Sequence, residues 1–522
     1  MKTDLENFWV LALIISKCTP DHPTLLTTLL LILSLTFLLS FAIPRRATAI
    51  PGLPLLGHLH HFLTFLHPQL PLHRRLAALA HRHHSSRLMC LRVGATHIVV
   101  ASHPDTAKEL LQSPAFVDRP FNECAHALMF HRAMGFAHHG PHWRSLRRVG
   151  STHLFSPKHL ARSIPYRSNI ADQMVAYLSN QTAGPVRPVR VREMLKRASL
   201  KHMMFCVFGG ADVHEPLMEL SSSGVTMDEL VDMVDEGYDL LGKFNLADHF
   251  PWLAGLDLQQ IRFRCSKLVP KVNRFLTRVL EEHRDRPKSE NDASFLHVLD
   301  SLDRSEKLPD EDLVALLWEM IFRGTDAVAV LIEWVLARIV IHANVQSKVQ
   351  EELDRVVGKS RPVSESDLSS MVYLPAVIKE VLRLHPPGPL MSWCRLSIAD
   401  ATIDGHGIPA GTTGIVNMWS IMRDPEVWSD PLTFKPERFM SEETEMEFSV
   451  FGSDLRIAPF GSGKRSCPGR FLGFATVNYW VASLLHEYEW GAPDENPVDL
   501  SEVLRLSCEM ANPLNAKVRR RR

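Results

Sequence analysis

The sequence has no net charge. Its 522 residues include 58 lysines and arginines and 58 aspartates and glutamates, so the formal net charge at pH 7 is zero. Proteins that bind nucleic acid through its phosphates generally carry a basic excess, and we therefore expect no nucleic-acid partner. With 45% hydrophobic and 22% charged residues, the chain has the composition of a globular protein that can build a large core.

Closely spaced cysteine pairs are also absent. The eight cysteines include no Cys-x-x-Cys motif, and they are too sparse for a disulfide scaffold in a chain of this length. This pattern indicates a reducing compartment. Histidines cluster within residues 81–84 and 138–142, but neither cluster has the acidic neighbours and the spacing of a metal site. We interpret both clusters as solvated surface.

A hydrophobic run without any charge occupies residues 24–43. As a helix it is long enough to cross the roughly 30 Å hydrocarbon core of a bilayer. Arg45 and Arg46 follow it directly, so the positive-inside rule places the rest of the chain in the cytosol. A cleaved signal peptide is the alternative, because residues 47–49 are similar to a processing site, but the run is too long and the arginines lie on its wrong side. We predict three segments before the catalytic domain: a lumenal segment at 1–23, an uncleaved transmembrane anchor at 24–43 and a stiff, proline-rich hinge at 44–59.

The residues that most clearly indicate a chemical function lie in the stretch Pro459–Arg470, which reads PFGSGKRSCPGR. Cys467 precedes Pro468, a residue type favoured at the first position of a helix. The apolar residues that follow recur at helical spacing, so we predict a helix whose N-terminus favours the thiolate of Cys467. The glycines would let the backbone approach a bulky group, and Arg465 offers a guanidinium to an anion. A flat cofactor with a central iron and carboxylates on its rim would use all of these features. A buried structural cysteine is the alternative.

The same stretch resembles the cysteine loop of the cytochrome P-450 superfamily. That loop has the pattern Phe-x-x-Gly-x-Arg-x-Cys-x-Gly, which is matched here by Phe460, Gly463, Arg465, Cys467 and Gly469. The resemblance implies haem b (iron protoporphyrin IX) as cofactor, with Cys467 as its iron ligand. It also implies a mainly α fold with a small β-region, in which a single large haem-thiolate domain at 60–515 follows the membrane helix. Residues 516–522 are expected to form a basic tail, of which Arg519–Arg522 are expected to be disordered.

Three further residues resemble haem-propionate ligands of this superfamily. Trp143 and Arg147 lie one helical turn apart, as in the helix whose tryptophan and arginine bind a propionate. Trp-x-x-x-Arg alone is usually a surface turn, but arginine pairs carboxylates in a bidentate manner. Arg395, in a predicted strand, resembles a third ligand beside Arg465 in the cysteine loop.

An acidic helix start at Asp310 opens a helical pattern that continues to about Ala343. The pattern is apolar enough to suggest a second membrane span. However, the charged residues at 319, 323, 326 and 333 would each be costly in mid-membrane. We predict that it is the central buried helix of a soluble domain.

The segment 323–327 of that helix resembles the oxygen-binding segment of the superfamily, which usually reads Ala-Gly-x-Asp-Thr. The resemblance implies that Gly324 lets dioxygen approach the backbone and that Asp326 delivers protons for O–O cleavage. Ala327 replaces the expected threonine, so its hydroxyl is missing. Proton delivery must then use Asp326 with waters, the hydroxyl of Thr325 or a hydroxyl on the substrate.

Arg323 replaces the alanine that is usual at the first position of this segment. We hypothesise that Arg323 anchors a substrate carboxylate, and that Ala327 also lies beside the substrate. An ion pair with Glu319, one helical turn earlier, is the alternative for Arg323.

Glu380 and Arg383 lie three residues apart in a helical pattern, and Arg438 follows in the sequence Pro-Glu-Arg-Phe. Together they resemble the elements that interlock as a buried Glu–Arg–Arg triad in the superfamily, so their predicted role is structural. Residues 401–418 are predicted to form short strands, and the last strands, near Leu504–Met510, are expected to return to the pocket.

These motifs follow one another in the order of the superfamily over residues 44–515. The resemblance implies a monooxygenase in which an NADPH-dependent flavoprotein, NADPH–cytochrome reductase, supplies electrons and one oxygen atom enters a C–H bond of a lipophilic small molecule. Thiolate donation from Cys467 would favour O–O cleavage. The resemblance to membrane-bound members of this superfamily implies a single-pass protein of the endoplasmic reticulum with a cytosolic catalytic domain.

The sequence Phe-Arg-Gly-Thr-Asp at 322–326 resembles plant microsomal members, in particular the plastochron/KLUH-like group linked to organ growth and leaf initiation. That group resembles enzymes that hydroxylate substrates of the fatty-acid type, so a medium-chain fatty acid is the expected substrate. Two alternatives stay open: a reductase-independent haem dehydratase or isomerase of hydroperoxides, which Ala327 would permit, and a haem sensor without turnover. The retained Asp326 argues against both.

Overall fold

The computed structural model describes residues 50–521, apart from 51, 54, 64–69, 183–187, 210–223, 286–293, 303–306, 392–393, 441–447, 452–453 and 494–496. The predicted lumenal segment, the predicted anchor at 24–43 and residues 44–49 of the predicted hinge lie outside the described residues.

The described part of the chain is mainly helical. Its α-helices are α1 Leu59–Phe62, α2 Leu72–Arg82, α3 Pro104–Gln112, α4 Glu123–Ala127, α5 Pro141–Val149, α6 Pro157–Arg162, α7 Ile164–Thr182, α8 Val191–Phe208, α9 Met227–Gly242, α10 Leu246–His249, α11 Ile261–Asp285, α12 Phe295–Asp300, α13 Asp310–Ile341, α14 Ala343–Val356, α15 Tyr373–Leu384, α16 Met418–Ile421 and α17 Arg470–Glu487.

The strands are short and form small sheets. They are β1 Leu88–Val93, β2 Thr96–Ala101, β3 Val189–Arg190, β4 Arg395–Leu396, β5 Ala401–Ile403, β6 His406–Ile408, β7 Thr413–Val416, β8 Tyr488–Gly491, β9 Glu502–Leu504, β10 Cys508–Met510 and β11 Asn515–Arg520. The mainly α architecture with a small β-region is therefore as predicted, and so are the short strands within 401–418.

Helix α13 forms the centre of the molecule. Its first turn carries three acidic residues, which complement the positive end of the helix dipole. Trp318 and Trp334 are fully buried, because α13 packs against α8 on one side and α17 on another. The predicted central buried helix is confirmed. Among the described residues, no single helix has the length and hydropathy of a membrane span, and only α13 and α14 taken together do, as a pair bent by 109°.

The largest sheet has the strand order β1-β2-β7-β4. Strands β1 and β2 form an antiparallel hairpin, β2 pairs in parallel with β7, and β4 lies antiparallel to β7 at the edge. In this register Arg395 of β4 lies opposite Gly414 of β7. The sheet thereby holds Arg395 at a fixed position beside the cysteine loop.

The end of the predicted hinge belongs to the folded domain. The backbones of Leu53 and Gly57 exchange two hydrogen bonds, of 3.0 and 2.7 Å, and His58 N–H donates to the carbonyl of Arg92 in β1 at 2.6 Å. Gly57 has a φ of +60°, and a Cβ at this position would lie 2.0 Å from the Arg92 oxygen. The described residues Leu53, Gly57 and His58 of the predicted hinge are therefore held by hydrogen bonds, and His58 is tied to β1.

The prediction that Arg519–Arg522 are disordered is wrong for Arg519 and Arg520, which belong to β11. Residues of β11 pair with β8 and with β3, and Ala516 and Val518 are buried while Arg519 and Arg520 are exposed. This alternation is the two-residue period of a strand with one buried face. The buried Ala516 and Val518 hold the segment in the sheet, and Arg519 and Arg520, which follow them, remain in solvent.

The predicted Glu–Arg–Arg triad is present. Glu380 Oε2 lies 2.7 Å from Arg383 Nε, Glu380 Oε1 lies 3.2 Å from Arg438 Nε, and the Glu380 and Arg383 side chains are completely buried. Arg383 also donates to the carbonyl oxygens of Met422 and Pro431, at 2.8 and 2.7 Å. The triad thus ties α15 to the loops that precede the cysteine loop.

Candidate functional site

A deep cavity lies between α13, α17, the cysteine loop and the edge of the largest sheet. It encloses about 1910 Å³ of atom-free space, part of it open to solvent. The wall includes Cys467, Phe460 and Gly469 from the cysteine loop and Arg323, Gly324 and Ala327 from α13.

The cysteine loop presents Cys467 to this cavity. Cys467 is half-buried, and its N–H donates to the carbonyl of Phe460 at 2.9 Å. The following helix begins at Arg470 with Gly469 as its N-cap, so Pro468 is not its first residue as predicted. Pro468 and Gly469 form a turn instead, and Cys467 lies two residues before the N-cap. The thiol nevertheless faces the cavity at the N-terminal end of α17.

The glycines of the loop have different roles. Gly463 has a φ of +69°, and a Cβ there would lie 2.3 Å from the carbonyl oxygen of Leu111 in α3. Gly463 is not among the described residues that line the cavity, so it packs the loop on α3 instead of contacting a cofactor as predicted. Gly469 does line the cavity, and a Cβ there would lie 3.0 Å from the Phe155 ring.

Buried guanidinium groups gather beside the loop. Arg395 Nη2 donates to the carbonyl of Ser462 at 3.1 Å, and Arg147 Nη2 donates to that of Ser466 at 2.5 Å. Burial, with the charges of Arg465 and Arg147, lowers the pKa of Arg395 to about 9. Burial likewise lowers the pKa of Arg465 to about 10. Asp118 lies 3.5 Å from Arg465, and further anions among these cations would favour their charged forms; the two carboxylates on the rim of the expected haem would be such anions.

Arg119 belongs to the same cluster, although the sequence analysis did not find it. It lines the cavity and donates to the carbonyl oxygens of Gly135 and Cys394, at 3.0 and 2.8 Å. Burial and the charges of Arg395, Arg465 and Arg323 lower its pKa well below the usual value. The available signal was an arginine placed between Asp118 and Pro120 in an irregular segment, which is too common to single it out.

Trp143 has a different position from the predicted one. Its indole N–H donates to the carbonyl of Met134 at 3.1 Å, and it is not among the described residues that line the cavity. The guanidinium of Arg465 lies over its ring, 4.3 Å from the centroid. Trp143 therefore supports Arg465 by a cation–π contact, whereas Arg147, one turn later on α5, does reach the cavity.

The segment 323–327 is only partly turned toward the cavity. Gly324 lines it, but the hydroxyl of Thr325 donates back to the carbonyl of Ile321 at 2.7 Å. This bond within the helix leaves Thr325 poorly placed as a proton donor. Asp326 is buried, which raises its pKa to about 6 against the opposing charge of Lys196 and a hydrogen bond from Ser507. Ser507, which no sequence motif marks, lines the cavity.

Arg323 and Glu319 both line the cavity, one helical turn apart. Glu319 Oε1 accepts the N–H of Gly135 at 2.7 Å, and its Oε2 has no hydrogen-bond partner among the described residues. Burial raises the pKa of Glu319, and the charge of Arg323 acts in the opposite direction. The charge of Arg323 thus acts on Glu319, and the guanidinium is at the cavity wall as well; the ion pair that was the alternative for Arg323 stays a prediction.

A second group of potential metal ligands lies away from this cavity wall. His73, Glu502 and Cys508 are buried, with ligand atoms close enough to share an ion. However, Glu502 is already paired with His73 at 2.8 Å and with Arg74 at 2.5 Å. Burial would raise the pKa of Glu502, but the bond and charge of His73 and the charge of Arg74 lower it to about 2. With that arginine on the carboxylate, the group serves as a buried ion-pair cluster.

Comparison with known sequences identifies the family to which this site belongs. The sequence model described as Cytochrome P450 matches residues 49–511 of the chain. The chain belongs to the cytochrome P450 family. It is 54% identical over 536 residues to Cytochrome P450 78A3 of Glycine max, with 99% of each chain covered. It is 56% identical over 471 residues to Cytochrome P450 78A6 of Arabidopsis thaliana, covering 90% of this chain and 86% of the relative.

The name of a more distant relative states the reaction of that protein. Flavonoid 3'-monooxygenase CYP75B137 of Crocosmia x crocosmiiflora is 36% identical over 480 residues, covering 89% of this chain and 90% of the relative. The chain is thus a cytochrome P450 monooxygenase, an oxidoreductase of a family that uses haem, small-molecule substrates and redox-partner reductases. In such a protein the haem supplies the iron at which dioxygen is activated.

The residues of the cavity fit this cofactor. Cys467 is placed to bind the iron through its sulfur, and Arg147, Arg395 and Arg465 are placed to pair with the propionates, together with Arg119. The bond between the backbone of Cys467 and Phe460 fixes the loop without using the thiol. The residues of α13 on the other side of the cavity would then orient the substrate and deliver protons.

Proposed function

We propose that this cytochrome P450 hydroxylates a lipophilic carboxylic acid of the fatty-acid type, with electrons from NADPH–cytochrome reductase. One atom of O2 enters a C–H bond and the other leaves as water, and two electrons and two protons are consumed. A reductase-independent dehydratase or isomerase of hydroperoxides would consume neither NADPH nor O2. The buried acid Asp326 supports the monooxygenase, because only that reaction needs proton delivery for O–O cleavage.

The balance of charges around the cavity carries the substrate proposal. Among the described residues, five arginines line it, namely Arg119, Arg147, Arg323, Arg395 and Arg465. Opposing them are Glu319, which lines the cavity, and Asp118, 3.5 Å from Arg465. Two haem propionates raise the negative charges to four, while the thiolate and the ferric porphyrin neutralise each other. One positive charge remains, and an anionic substrate would balance it.

The remainder of the wall suits a hydrocarbon chain. Val328 and Leu331 follow Arg323 along α13, and Leu390 and Met391 face the cavity from the loop before β4. An apolar wall with one cation at its edge favours a ligand that has a charged head and an apolar body. This is the chemistry of a medium-chain fatty acid.

Replacing Arg323 by alanine is expected to remove a preference for the free acid over its methyl ester. A hydrogen bond to a charged group contributes about 1.5–3 kcal/mol, so the ratio of the two dissociation constants should fall by about 10-fold or more. The measurement is the change in the haem absorption spectrum on titration with a medium-chain fatty acid and with its methyl ester.

Two further variants control this experiment. Arg323→Ala combined with Glu319→Gln removes the carboxylate that the single variant leaves buried, and it should bind both ligands equally. Arg323→Lys keeps the charge and should keep part of the preference. An Arg323→Ala protein that prefers the acid as strongly as the wild type would show that another group binds the carboxylate.

We also propose that residues 24–43 anchor the protein once in the endoplasmic reticulum, with the catalytic domain in the cytosol. The support is the uncharged run and the arginines that follow it. In microsomes, an N-glycosylation site added before residue 24 should be glycosylated, and one added after Arg522 should not. The reverse pattern, or no glycosylation at either end, would contradict this topology.

A role in plant organ growth and leaf initiation is the broadest part of the proposal. It rests on the resemblance of residues 322–326 to the plastochron/KLUH-like group. Organs of unchanged size and leaves initiated at the normal rate in a plant without the gene and its close relatives would contradict it.

A further inference from the structure

Glu319 is the only acidic residue among the described residues that line the cavity. It is 1% exposed. Its Oε1 accepts the N–H of Gly135 at 2.7 Å, whereas its Oε2 is buried without a hydrogen-bond partner among the described residues. A carboxylate oxygen can only accept hydrogen bonds, and a buried acceptor without a donor is destabilising. The cavity wall therefore contains an acceptor that can gain a donor from a bound molecule.

Glu333, a second buried glutamate of α13, shows the usual arrangement. Its Oε2 accepts from Nε of Arg192 at 2.8 Å, and its Oε1 accepts the N–H of Leu514 at 2.9 Å. Both oxygens thus have donors within the fold, as is general for buried polar groups. Glu333 is not among the described residues that line the cavity. The unpartnered oxygen is therefore a feature of the glutamate at the cavity wall.

The segment that holds Glu319 is itself fixed. Nε of Arg119 donates to the carbonyl of Gly135 at 3.0 Å. The carbonyl of the preceding residue, Met134, accepts from Nη1 of Arg465 at 3.3 Å. The N–H of Gly135 therefore holds the Glu319 carboxylate in a fixed orientation. An acceptor that is oriented in advance binds a ligand with a smaller loss of conformational freedom.

The chemistry of the cavity limits what the donor can be. Haem does not supply it, because the carboxylates on its rim accept hydrogen bonds and its ring nitrogens bind the iron. An ammonium group on the substrate would add to the positive charge of the five arginines that line the cavity. A hydroxyl group donates a hydrogen bond without adding charge, so it suits this position.

We propose that Oε2 of Glu319 accepts a hydrogen bond from a hydroxyl group of the substrate, so that the preferred substrate is a hydroxylated fatty acid. This inference deepens the proposed function and rests on it for the position of the hydroxyl. Glu319 and Arg323 both line the cavity, and four residues of a helix correspond to a rise of about 6 Å. With the substrate carboxylate at Arg323, the hydroxyl lies on one of the first few carbons of the chain.

The first test uses the haem-loaded, full-length protein without any substitution. Isothermal titration calorimetry gives the dissociation constants of dodecanoic acid, of derivatives hydroxylated near the carboxyl end and of the matching oxo acids. A mildly alkaline pH favours the carboxylate, since burial raises the pKa of Glu319 above its usual value. The best hydroxy acid should bind at least about 10-fold more tightly than the other two ligands, because its hydrogen bond is to a charged group.

The oxo acid is the informative comparison, because its oxygen only accepts and would leave Oε2 without a donor. Similar affinities for the hydroxy acid, the oxo acid and the unsubstituted acid would overturn the proposal. So would an advantage that is confined to the acid hydroxylated at its last carbon.

The second test is the substitution Glu319→Gln, which should remove this preference. The side-chain carbonyl can still accept the N–H of Gly135, and the NH2 group then takes the place of Oε2. An NH2 group donates to an oxo oxygen and to a hydroxyl alike, so the oxo and hydroxy acids should bind with nearly equal affinity. Glu333→Gln is the matched control and should keep the wild-type ratio. An unchanged ratio in Glu319→Gln, or an equal loss in Glu333→Gln, would overturn the proposal.

Two features of the design keep the outcomes distinct. The first test needs no variant, so it gives a result even where Glu319→Gln does not fold. Repeating it with the methyl esters removes the need for an anion at Arg323, and the preference for the hydroxyl should persist. If the esters show this preference but the wild type does not prefer acids over esters, only the proposed carboxylic acid is wrong. If acids are preferred over esters but neither set shows a preference for the hydroxyl, only the role of Glu319 is wrong.

Discussion

Replacement of Cys467 by serine is expected to abolish product formation without unfolding the protein. A serine hydroxyl stays protonated at neutral pH and cannot replace the thiolate, whose electron donation to haem iron favours O–O cleavage. The fold should survive, because the bond between Cys467 and Phe460 uses the backbone N–H and the side chain faces the cavity. The measurement is the turnover of the full chain with reductase and NADPH, alongside circular dichroism.

Cys90 offers a matched control for this substitution. Like Cys467 it is half-buried, but it lies in β1 and outside the cavity lining that the described residues form. Cys90→Ser should therefore keep the turnover of the wild type. Comparable turnover in Cys467→Ser and the wild type, or an equal loss in Cys90→Ser, would contradict the assigned role of Cys467.

Replacement of Glu380 by glutamine is expected to lower the free energy of unfolding by about 3–5 kcal/mol. The substitution leaves Arg383 completely buried and Arg438 nearly so, without the carboxylate that both contact. The other partners of Arg383 are carbonyl groups, which do not neutralise its charge. Denaturant unfolding of the haem-loaded protein, followed by circular dichroism, measures the loss.

An ion pair on the surface provides the comparison. Glu489 pairs with Arg519 between β8 and β11, where both side chains are largely exposed. Glu489→Gln should therefore cost less than about 1 kcal/mol. Similar losses in Glu489→Gln and Glu380→Gln would mean that burial of the triad does not determine its contribution to stability.

The features that the sequence predicts correctly are those encoded within a few neighbouring residues. The spacing of Phe460, Arg465 and Cys467 falls within one loop, and the structure brings all three to the cavity. The acidic start and the uninterrupted apolar pattern similarly predict the long helix α13. The triad was predictable because Glu380 and Arg383 share one helix face, and its third member lies in a recognisable short sequence.

The features that the sequence does not predict depend on contacts between distant segments. Gly463 matches the loop pattern, but glycine is needed there because a Cβ would clash with the carbonyl oxygen of Leu111. Trp143 matches a propionate ligand, yet its N–H is bonded to Met134. Ser507 lies in no motif, and only the packing of β10 on α13 brings the turn before that strand to the cavity.

The C-terminal segment shows a related difficulty. Its four successive arginines suggest a solvated tail when they are considered alone. The strand depends on the two small apolar residues Ala516 and Val518, which precede them and are buried against β8 and β3. Such a short alternation becomes informative only once a partner strand is known.

The carbon monoxide difference spectrum of the reduced, full-length protein tests the central claim most directly. The wild type is predicted to show the band of a thiolate-ligated haem, and Cys467→Ser is predicted to lose that band. A purified protein that contains no porphyrin, or a spectrum that is the same with and without the Cys467 sulfur, would contradict the account.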